Sequence, residues 1–151
     1  MVDVSNEQTI TSFPLAQLGD KATREMPHNI QAEQSFLGAL LLDNELLDKM
    51  SVTLNSDHFY DPLHGRIFST IQRLIERGQL ANPVTLKSFF SDSSEFQGEN
   101  TEAYLSELAD GVISITQAPY YANITHEAHV RRQLILISDC LLYTSPSPRD
   151  R

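Results

Sequence analysis

Residues 26–47 constrain the fold more than any other part of the chain, because they carry a broad apolar face at helical spacing. The apolar residues of this face recur three and four positions apart: Ile30, Phe36, Leu37, Ala39, Leu40 and Leu41. Such a face requires a helix that neighbouring elements bury. Asn29 suits the N-cap position of this helix. Gly38 disfavours a helix by about 1 kcal/mol relative to alanine, so we expect another helix to cross there at close range.

The next two helices are predicted from apolar spacing and from start signals. Apolar residues three and four apart predict a short helix near residues 44–54. Residues 43 and 44 are expected to end the first helix and to cap this second one. Asp61 before Pro62 predicts the start of a third helix, because aspartate caps amides that lack helical partners and proline is tolerated at the first helical position. Gly78 is expected to end that helix.

The second half of the chain predicts three more helices. Asn82 and Pro83 repeat the start signal for a helix that ends by residue 93. The polar segment 91–102 predicts an exposed loop, after which residues 103–109 return to helical spacing. A long last helix begins near residue 117. Its expected apolar stripe comprises Tyr121, Ile124, Ala128, Leu134 and Ile137. The residues expected to face solvent are His126, Glu127, Arg131 and Arg132.

Charge and cysteine content restrict the possible functions. Eleven basic and twenty acidic residues give a net charge of -9, which has the wrong sign for gripping a phosphate backbone. Cys140 is the only cysteine, so an internal disulfide and a paired-cysteine zinc site are excluded. No apolar run approaches the roughly 18 residues of a membrane span, and no secretory signal is recognised at the start. We therefore expect a cytoplasmic, all-helical interaction domain that has no membrane partner.

Two histidine-containing clusters raise the alternative of a metal-dependent enzyme, for which stoichiometric metal would be the first sign. One contains Asp57, His58, Asp61 and His64. We expect helix capping instead, because Asp61 precedes a proline. His126 and His129 lie three positions apart, whereas a zincin helix requires four and a further ligand. A solvated helix face is the expected role for this pair.

Nucleotide and nucleic-acid chemistry lack their usual motifs. Residues 134–139 resemble the strand and aspartate of a nucleotide-binding ATPase, but the chain has no phosphate-binding loop and the flanking sequence favours helix. Tyr120 and Tyr121 could stack on bases. Without a basic groove, we expect them to be packing residues. The sequence therefore predicts no catalytic residue and no cofactor in this part of the protein.

Five blocks of the chain share both sequence and spacing with one protein family. Residues 27–44 fit the pattern Pro-His-x-x-x-Ala-Glu-Gln-x-x-Leu-Gly-x-x-Leu-Leu-Asp-Asn. Further blocks follow in the family's order at residues 57–68, 83–86, 103–109 and 121–124, and paired arginines follow at Arg131 and Arg132. In these blocks the chain resembles the amino-terminal domain of the bacterial replicative DNA helicase family, the DnaB family.

This resemblance implies a compact multi-helix globular domain at residues 26–116, followed by the first helix of a helical hairpin at residues 117–139. In the family, such domains pair through their hairpins into the collar of a hexameric ring, which receives primase and takes part in helicase loading. A carboxy-terminal domain hydrolyses ATP with Mg²⁺ and moves along single-stranded DNA. The residues expected at the subunit or partner interface are Tyr121, Ile124, Leu134 and Ile137.

The two ends of the chain differ from the family pattern. Residues 1–25 are polar and aperiodic and predict a disordered tail. From Cys140 the resemblance fails, and residues 140–151 look like a non-native tail, similar to a translated sequencing adapter, in which Pro146 and Pro148 would end a helix. We therefore expect a chain truncated before the ATPase domain. The alternative is a stand-alone helical adaptor that binds a helicase or primase, which the genomic sequence past codon 139 would distinguish.

Overall fold

The computed structural model describes residues 25–90 and 101–144, and all regular structure within these ranges is helical. The elements follow in this order: α1 (Ile30–Leu42), α2 (Leu46–Lys49), a 3₁₀ turn (Ser56–His58), α3 (Pro62–Glu76), α4 (Pro83–Phe90), α5 (Thr101–Asp110), a second 3₁₀ turn (Ile115–Gln117) and α6 (Ala118–Thr144). The prediction of an all-α fold is confirmed. The part of the chain that the structure describes contains no helix long and apolar enough to cross a membrane.

The three predicted start signals act as helix caps. The Asn29 side chain accepts a hydrogen bond from the Ala32 backbone N–H at 2.9 Å. Asp61 accepts one from the Leu63 N–H at 2.9 Å, with Pro62 as the first helical residue. The Thr85 N–H donates to Asn82 Oδ1, also at 2.9 Å. Each bond satisfies an amide that has no partner within its own helix, so these helices begin where the sequence predicts.

Helix α1 lies at the centre of the fold and packs against α2, α3, α5 and α6. Three aromatic rings form the middle of the core: Phe36 of α1 lies 6.0 Å from Phe68 of α3, and Phe59 lies 5.1 Å from Phe68, measured between ring centroids. The largest fully buried apolar residues are Phe36, Phe68, Leu37, Leu40, Leu54, Ile67, Ile71, Leu86 and Leu105. The apolar face predicted for α1 is therefore confirmed.

Two glycines are required, one for a close helix crossing and one for a sharp turn. A Cβ at Gly38 would overlap the Leu108 carbonyl oxygen of α5 and lie 2.7 Å from Cγ2 of Val112, so the predicted close helix crossing is confirmed. Gly78 follows α3 with a φ of 71°, a left-handed conformation that glycine adopts without the steric penalty of a Cβ. The chain can therefore turn sharply after α3.

The second helix differs from its prediction. It spans Leu46–Lys49 rather than residues 44–54, because Met50 is extended, and its N-cap residue is Glu45. Asn44 does not cap this helix. Its side chain donates to the carbonyl oxygens of Leu40 and Ala81 at 2.7 and 2.8 Å and accepts from the Ala81 N–H at 2.8 Å. Asn44 therefore fixes the connection between α3 and α4 to the end of α1.

The ends of several predicted segments also differ. Residues 101 and 102 belong to α5 and not to the preceding loop. Helix α6 begins at Ala118 and continues through Cys140 to Thr144. Three parts of the predicted segments lie outside the described residues: residues 1–24 of the tail predicted at 1–25, residues 91–100 of the loop predicted at 91–102, and residues 145–151, which include Pro146 and Pro148. The division at residues 139 and 140 stays a prediction.

Candidate interaction surface

One face of α6 is docked on the globular part formed by α1 to α5. Its buried residues are spaced three and four apart: Ala118, Ala122, Thr125, Ala128 and Arg132. Three of them are alanines, whose small side chains let the α6 backbone lie close to its neighbours. Tyr121 is half-buried against the core, and its hydroxyl donates to Gln117 Oε1 at 3.0 Å. This face holds the first half of α6 in place.

The opposite face of α6 carries an exposed apolar row. Val130, Leu134, Ile137 and Leu141 are 39, 60, 55 and 62 % exposed, and they follow one another at intervals of four, three and four residues. We call these four residues the α6 seam. This alternating interval is the heptad spacing at which one helix packs along another. The α6 seam is therefore suited to contact with a further helix.

The predicted single stripe on this helix is wrong. Tyr121, Ile124 and Ala128 lie toward the globular part, whereas Leu134 and Ile137 are exposed on the opposite side. Leu134 follows Tyr121 by roughly three and a half helical turns, which places the two side chains on opposite faces. Of the four predicted interface residues, only Leu134 and Ile137 belong to the α6 seam. The interface role of all four stays a prediction.

A groove of about 480 Å³ lies between α1, α5 and the first turns of α6. Tyr121 and Ile124 line it together with Tyr104, and Ile113 at its edge is 94 % exposed. Tyr120, which was expected to be a packing residue, is instead 63 % exposed. The groove and the α6 seam are separate surfaces, so the predicted interface residues are divided between them.

Arg132 was expected to face solvent, and that prediction is wrong. Its guanidinium donates to the carbonyl oxygen of Pro27 at 2.9 Å and to that of His58 at 2.8 Å, and it lies 5.7 Å from the centre of the Tyr60 ring. The His28 ring stacks on the same Tyr60 ring, with 4.1 Å between the two ring centroids. Burial lowers the pKa of Arg132, with Glu33 and Tyr60 opposing this effect. Arg132 thereby ties α6 to two separate loops.

His126 and His129 also differ from their prediction. Both are half-buried, and their rings lie 5.5 and 4.3 Å from the ring of His58. Burial is the main cause that lowers the pKa of His58 and of His129; His129 and His126 add to it at His58, and Arg132 and His126 add to it at His129. These two helix residues therefore form a contact with the 3₁₀ turn rather than a solvated face.

The predicted cluster of ligand-type residues near α3 is divided among other roles. Asp61 caps α3, as expected. His64 is buried, with Nδ1 2.9 Å from Glu33 Oε1 and Nε2 2.7 Å from the Tyr104 hydroxyl. Glu33 also accepts the Tyr60 N–H at 2.9 Å. Within residues 25–90 and 101–144, no group of three or more His, Cys, Asp and Glu side chains could hold a metal ion.

Comparison with known sequences agrees with the fold and with the blocks identified above. Residues 25–127 match the family model described as DnaB-like helicase N terminal domain. The chain is 33 % identical over 136 residues to the replicative DNA helicase DnaB of Rickettsia felis, covering 90 % of this chain and 27 % of that protein. It is 38 % identical over 109 residues to the DnaB of Geobacillus stearothermophilus, covering 72 % and 24 %. The chain thus spans about a quarter of these relatives.

Two solved structures resemble the fold. The N-terminal domain of DnaB helicase from Mycobacterium tuberculosis superposes with a TM-score of 0.71 at 28 % identity, covering 79 % of this chain and 86 % of that one. A DnaB-like replicative helicase, whose structure describes its interactions with primase, superposes with a TM-score of 0.66 at 27 % identity. This match covers 79 % of the present chain and 28 % of the helicase.

Proposed function

The chain belongs to the DnaB-like helicase N-terminal domain family, and on this premise we propose that it is the self-associating, partner-binding collar domain of a replicative DNA helicase. The observation that carries the proposal is the α6 seam. Four large apolar side chains at heptad spacing lie on the face of α6 that points away from the globular part. A second helix is the element that fits such a face, and the family resemblance proposes the hairpin of a neighbouring copy.

The strength of this pairing follows from the size of the seam. Burying a Val, Leu or Ile side chain fully contributes about 1.5–3 kcal/mol, so newly covering half of each side chain in two seams contributes about 6–12 kcal/mol. Association costs about 4–15 kcal/mol in lost freedom of motion. The two quantities are comparable. We therefore expect weak, concentration-dependent dimers of this chain, which a full hexamer would strengthen through additional contacts.

Primase and the helicase loader are the proposed protein partners. Support for primase comes from the similar DnaB-like helicase whose structure includes its interactions with primase. The loader is proposed from the family resemblance alone. A net charge of -9 supports a role in binding proteins rather than the DNA backbone. The groove between α1, α5 and α6, with the exposed Ile113 at its edge, is a candidate surface for such a partner.

The catalytic functions are proposed for a different part of the helicase. This chain spans 27 % of the length of the Rickettsia felis relative and has no phosphate-binding loop. ATP, Mg²⁺ and single-stranded DNA would therefore be bound by a motor domain that follows in the whole protein. The whole protein would unwind DNA in the cytoplasm, and this domain would organise the ring and its partners.

The exposed Cys140 allows a direct test, since it is the sole cysteine and precedes Leu141 of the seam. A nitroxide on Cys140 should give a defined distance between two copies in pulsed electron paramagnetic resonance. Leu134→Glu should abolish this distance, because it places a charge within the seam. Val84→Glu is the matched control, since Val84 is 70 % exposed on α4. Equal behaviour of the two variants would contradict pairing through the seam.

A separate titration tests the partner. Primase from the same genome should bind the fluorescently labelled chain saturably, and binding should survive Val84→Glu. Dimers without primase binding would remove primase from the proposal and leave self-association standing. Primase binding by a chain that never pairs would instead favour the stand-alone adaptor.

A further inference from the structure

We propose that His58, His126 and His129 form a pH-sensitive latch, which holds α6 against the globular part at neutral pH and releases it in mild acid. The latch joins two elements that are distant in sequence. His58 ends the 3₁₀ turn Ser56–His58, whereas His126 and His129 lie on consecutive turns of α6. The proposal does not rest on the assignment to a helicase.

The geometry brings the three imidazoles together. The His58 ring centroid lies 4.3 Å from that of His129 and 5.5 Å from that of His126. The same contact carries Arg132, whose guanidinium donates to the His58 carbonyl oxygen at 2.8 Å. The 3₁₀ turn is therefore held to α6 by the His58 ring on one side and by its carbonyl on the other.

The His58 ring must be neutral to accept a hydrogen bond within its own 3₁₀ turn. The Asn55 backbone N–H donates to His58 Nδ1 at 3.2 Å, as part of a capping box that closes the turn. A neutral imidazole nitrogen can accept this bond, whereas the protonated ring has only donors. Protonation of His58 therefore removes the acceptor that shapes the turn and thus disturbs the carbonyl that Arg132 binds.

The charge of Arg132 also disfavours protonation of the cluster, and the charge of Asp57 opposes it. Asp57 is the carboxylate that acts on His58 and His129, and Arg132 is a fixed cation beside both. Protonation of His58 and His129 would place two new positive charges next to Arg132 against the single charge of Asp57. Like charges at such short range repel, so the docked position of α6 becomes less favourable.

The sign of the pH dependence follows from the pKa shifts. Burial, together with Arg132 and the neighbouring histidines, lowers the pKa of His58 and His129 in the docked state. A released α6 would restore both groups to the ordinary value of about 6.5. The released state therefore binds more protons below that pH, and docking weakens as the pH falls from about 6.5 through the lowered pKa values. Above about 6.5 the docked state keeps its full stability.

Two substitutions at one position test the latch in opposite directions. His129→Gln removes one of the titratable groups of the cluster, so α6 should lose less of its protection when the pH is lowered. His129→Arg supplies a permanent charge and should release α6 even at neutral pH. Gln133→Arg is the matched control, because it adds the same charge at an exposed position one turn further along α6, outside the cluster, and should leave α6 docked at neutral pH.

Amide hydrogen exchange of the full chain by NMR supplies the measurement, at low concentration and at about pH 7.5 and about pH 5.5, on either side of the ordinary histidine pKa. After correction for intrinsic exchange, amides of residues 122–132 should lose protection at the lower pH, while those of residues 36–41 in α1 should keep it. The imidazole C–H resonances of His58 and His129 should titrate below the ordinary pKa.

Several results would overturn the latch. They are equal protection of residues 122–132 at both pH values, an acid-induced loss that His129→Gln leaves intact, and neutral-pH docking in a folded His129→Arg variant. If His129→Arg fails to fold, the comparison of wild type with His129→Gln and the two histidine titrations still decide the outcome.

Discussion

Replacing Gly38 with alanine should destabilise the fold, although helix propensity alone predicts the opposite. Alanine favours a helix interior over glycine by about 1 kcal/mol. A Cβ at this position would, however, overlap the Leu108 carbonyl oxygen and lie 2.7 Å from Val112 Cγ2. The Leu108 contact is with backbone, which cannot rotate away as a flexible side chain can. Helix α5 would therefore have to move away from α1.

The magnitude follows from these opposed effects. Overpacking a well-packed site costs about 1–3 kcal/mol and occasionally more, and a backbone contact belongs at the upper end of that range. After subtracting the gain in propensity, we expect Gly38→Ala to lower the free energy of unfolding by about 1–2 kcal/mol.

Urea unfolding followed by circular dichroism measures this change, with the transition midpoint falling and its slope unchanged. Gly111→Ala is the control. The atom nearest to a Cβ at Gly111 would be the Glu107 carbonyl oxygen, at 3.2 Å, so this substitution causes no comparable overlap. A stabilising Gly38→Ala would refute the close crossing of α1 and α5.

Three further predictions concern the core and the chemistry. Leu37→Ala and Phe68→Ala, at fully buried positions, should each lower the free energy of unfolding by about 2–5 kcal/mol in the same assay, and changes below about 0.5 kcal/mol would mean that these faces are not buried. Glu33→Ala should cost about 1–3 kcal/mol, because it leaves the buried His64 ring and the Tyr60 N–H without their hydrogen-bond partner, and a neutral result would contradict that pairing. This chain should not hydrolyse ATP in the presence of Mg²⁺, since it has no phosphate-binding loop, and turnover above a protein-free blank would disprove this.

The parts of the fold that could be predicted are those decided by neighbours in sequence. Asn29, Asp61 and Asn82 cap amides two or three residues away, so their role is visible in a short window. The buried face of α1 repeats at the helical period and was predicted for the same reason. Gly38 was informative because a glycine within a helix needs a packing cause.

The errors arise where a side chain has a distant partner. Asn44 binds Ala81, 37 residues away, and Arg132 binds His58 and Pro27, 74 and 105 residues away. Local patterns assign such residues to a cap or to solvent, since they carry no information about which loops meet. The His58 contacts with His126 and His129 were missed for this reason. The residue types at these three positions could have suggested the contacts only if the 3₁₀ turn and α6 had been known to pack together.

The candidate site was predicted in part. An unpartnered apolar face on the last helix was expected, and Leu134 and Ile137 lie on it. Tyr121 and Ile124 were assigned to the same stripe as Leu134 and Ile137 because the two residues of each pair are three positions apart. Over the longer interval between the pairs, the helical rotation places them on opposite faces. The seam residues Val130 and Leu141 were not singled out, although their spacing to Leu134 and Ile137 was available in the sequence.

Self-association through the α6 seam is the central claim, and static light scattering tests it most directly. Over an about hundredfold range of concentration, the mass-average molar mass should rise from that of one chain toward that of two, as mass action requires for a weak dimer. Leu134→Glu should hold it at one chain throughout, whereas Val84→Glu should follow the wild type. A strictly monomeric wild-type chain, with the end of α6 fully protected in hydrogen exchange, would contradict the claim, because the seam would then be covered within its own molecule.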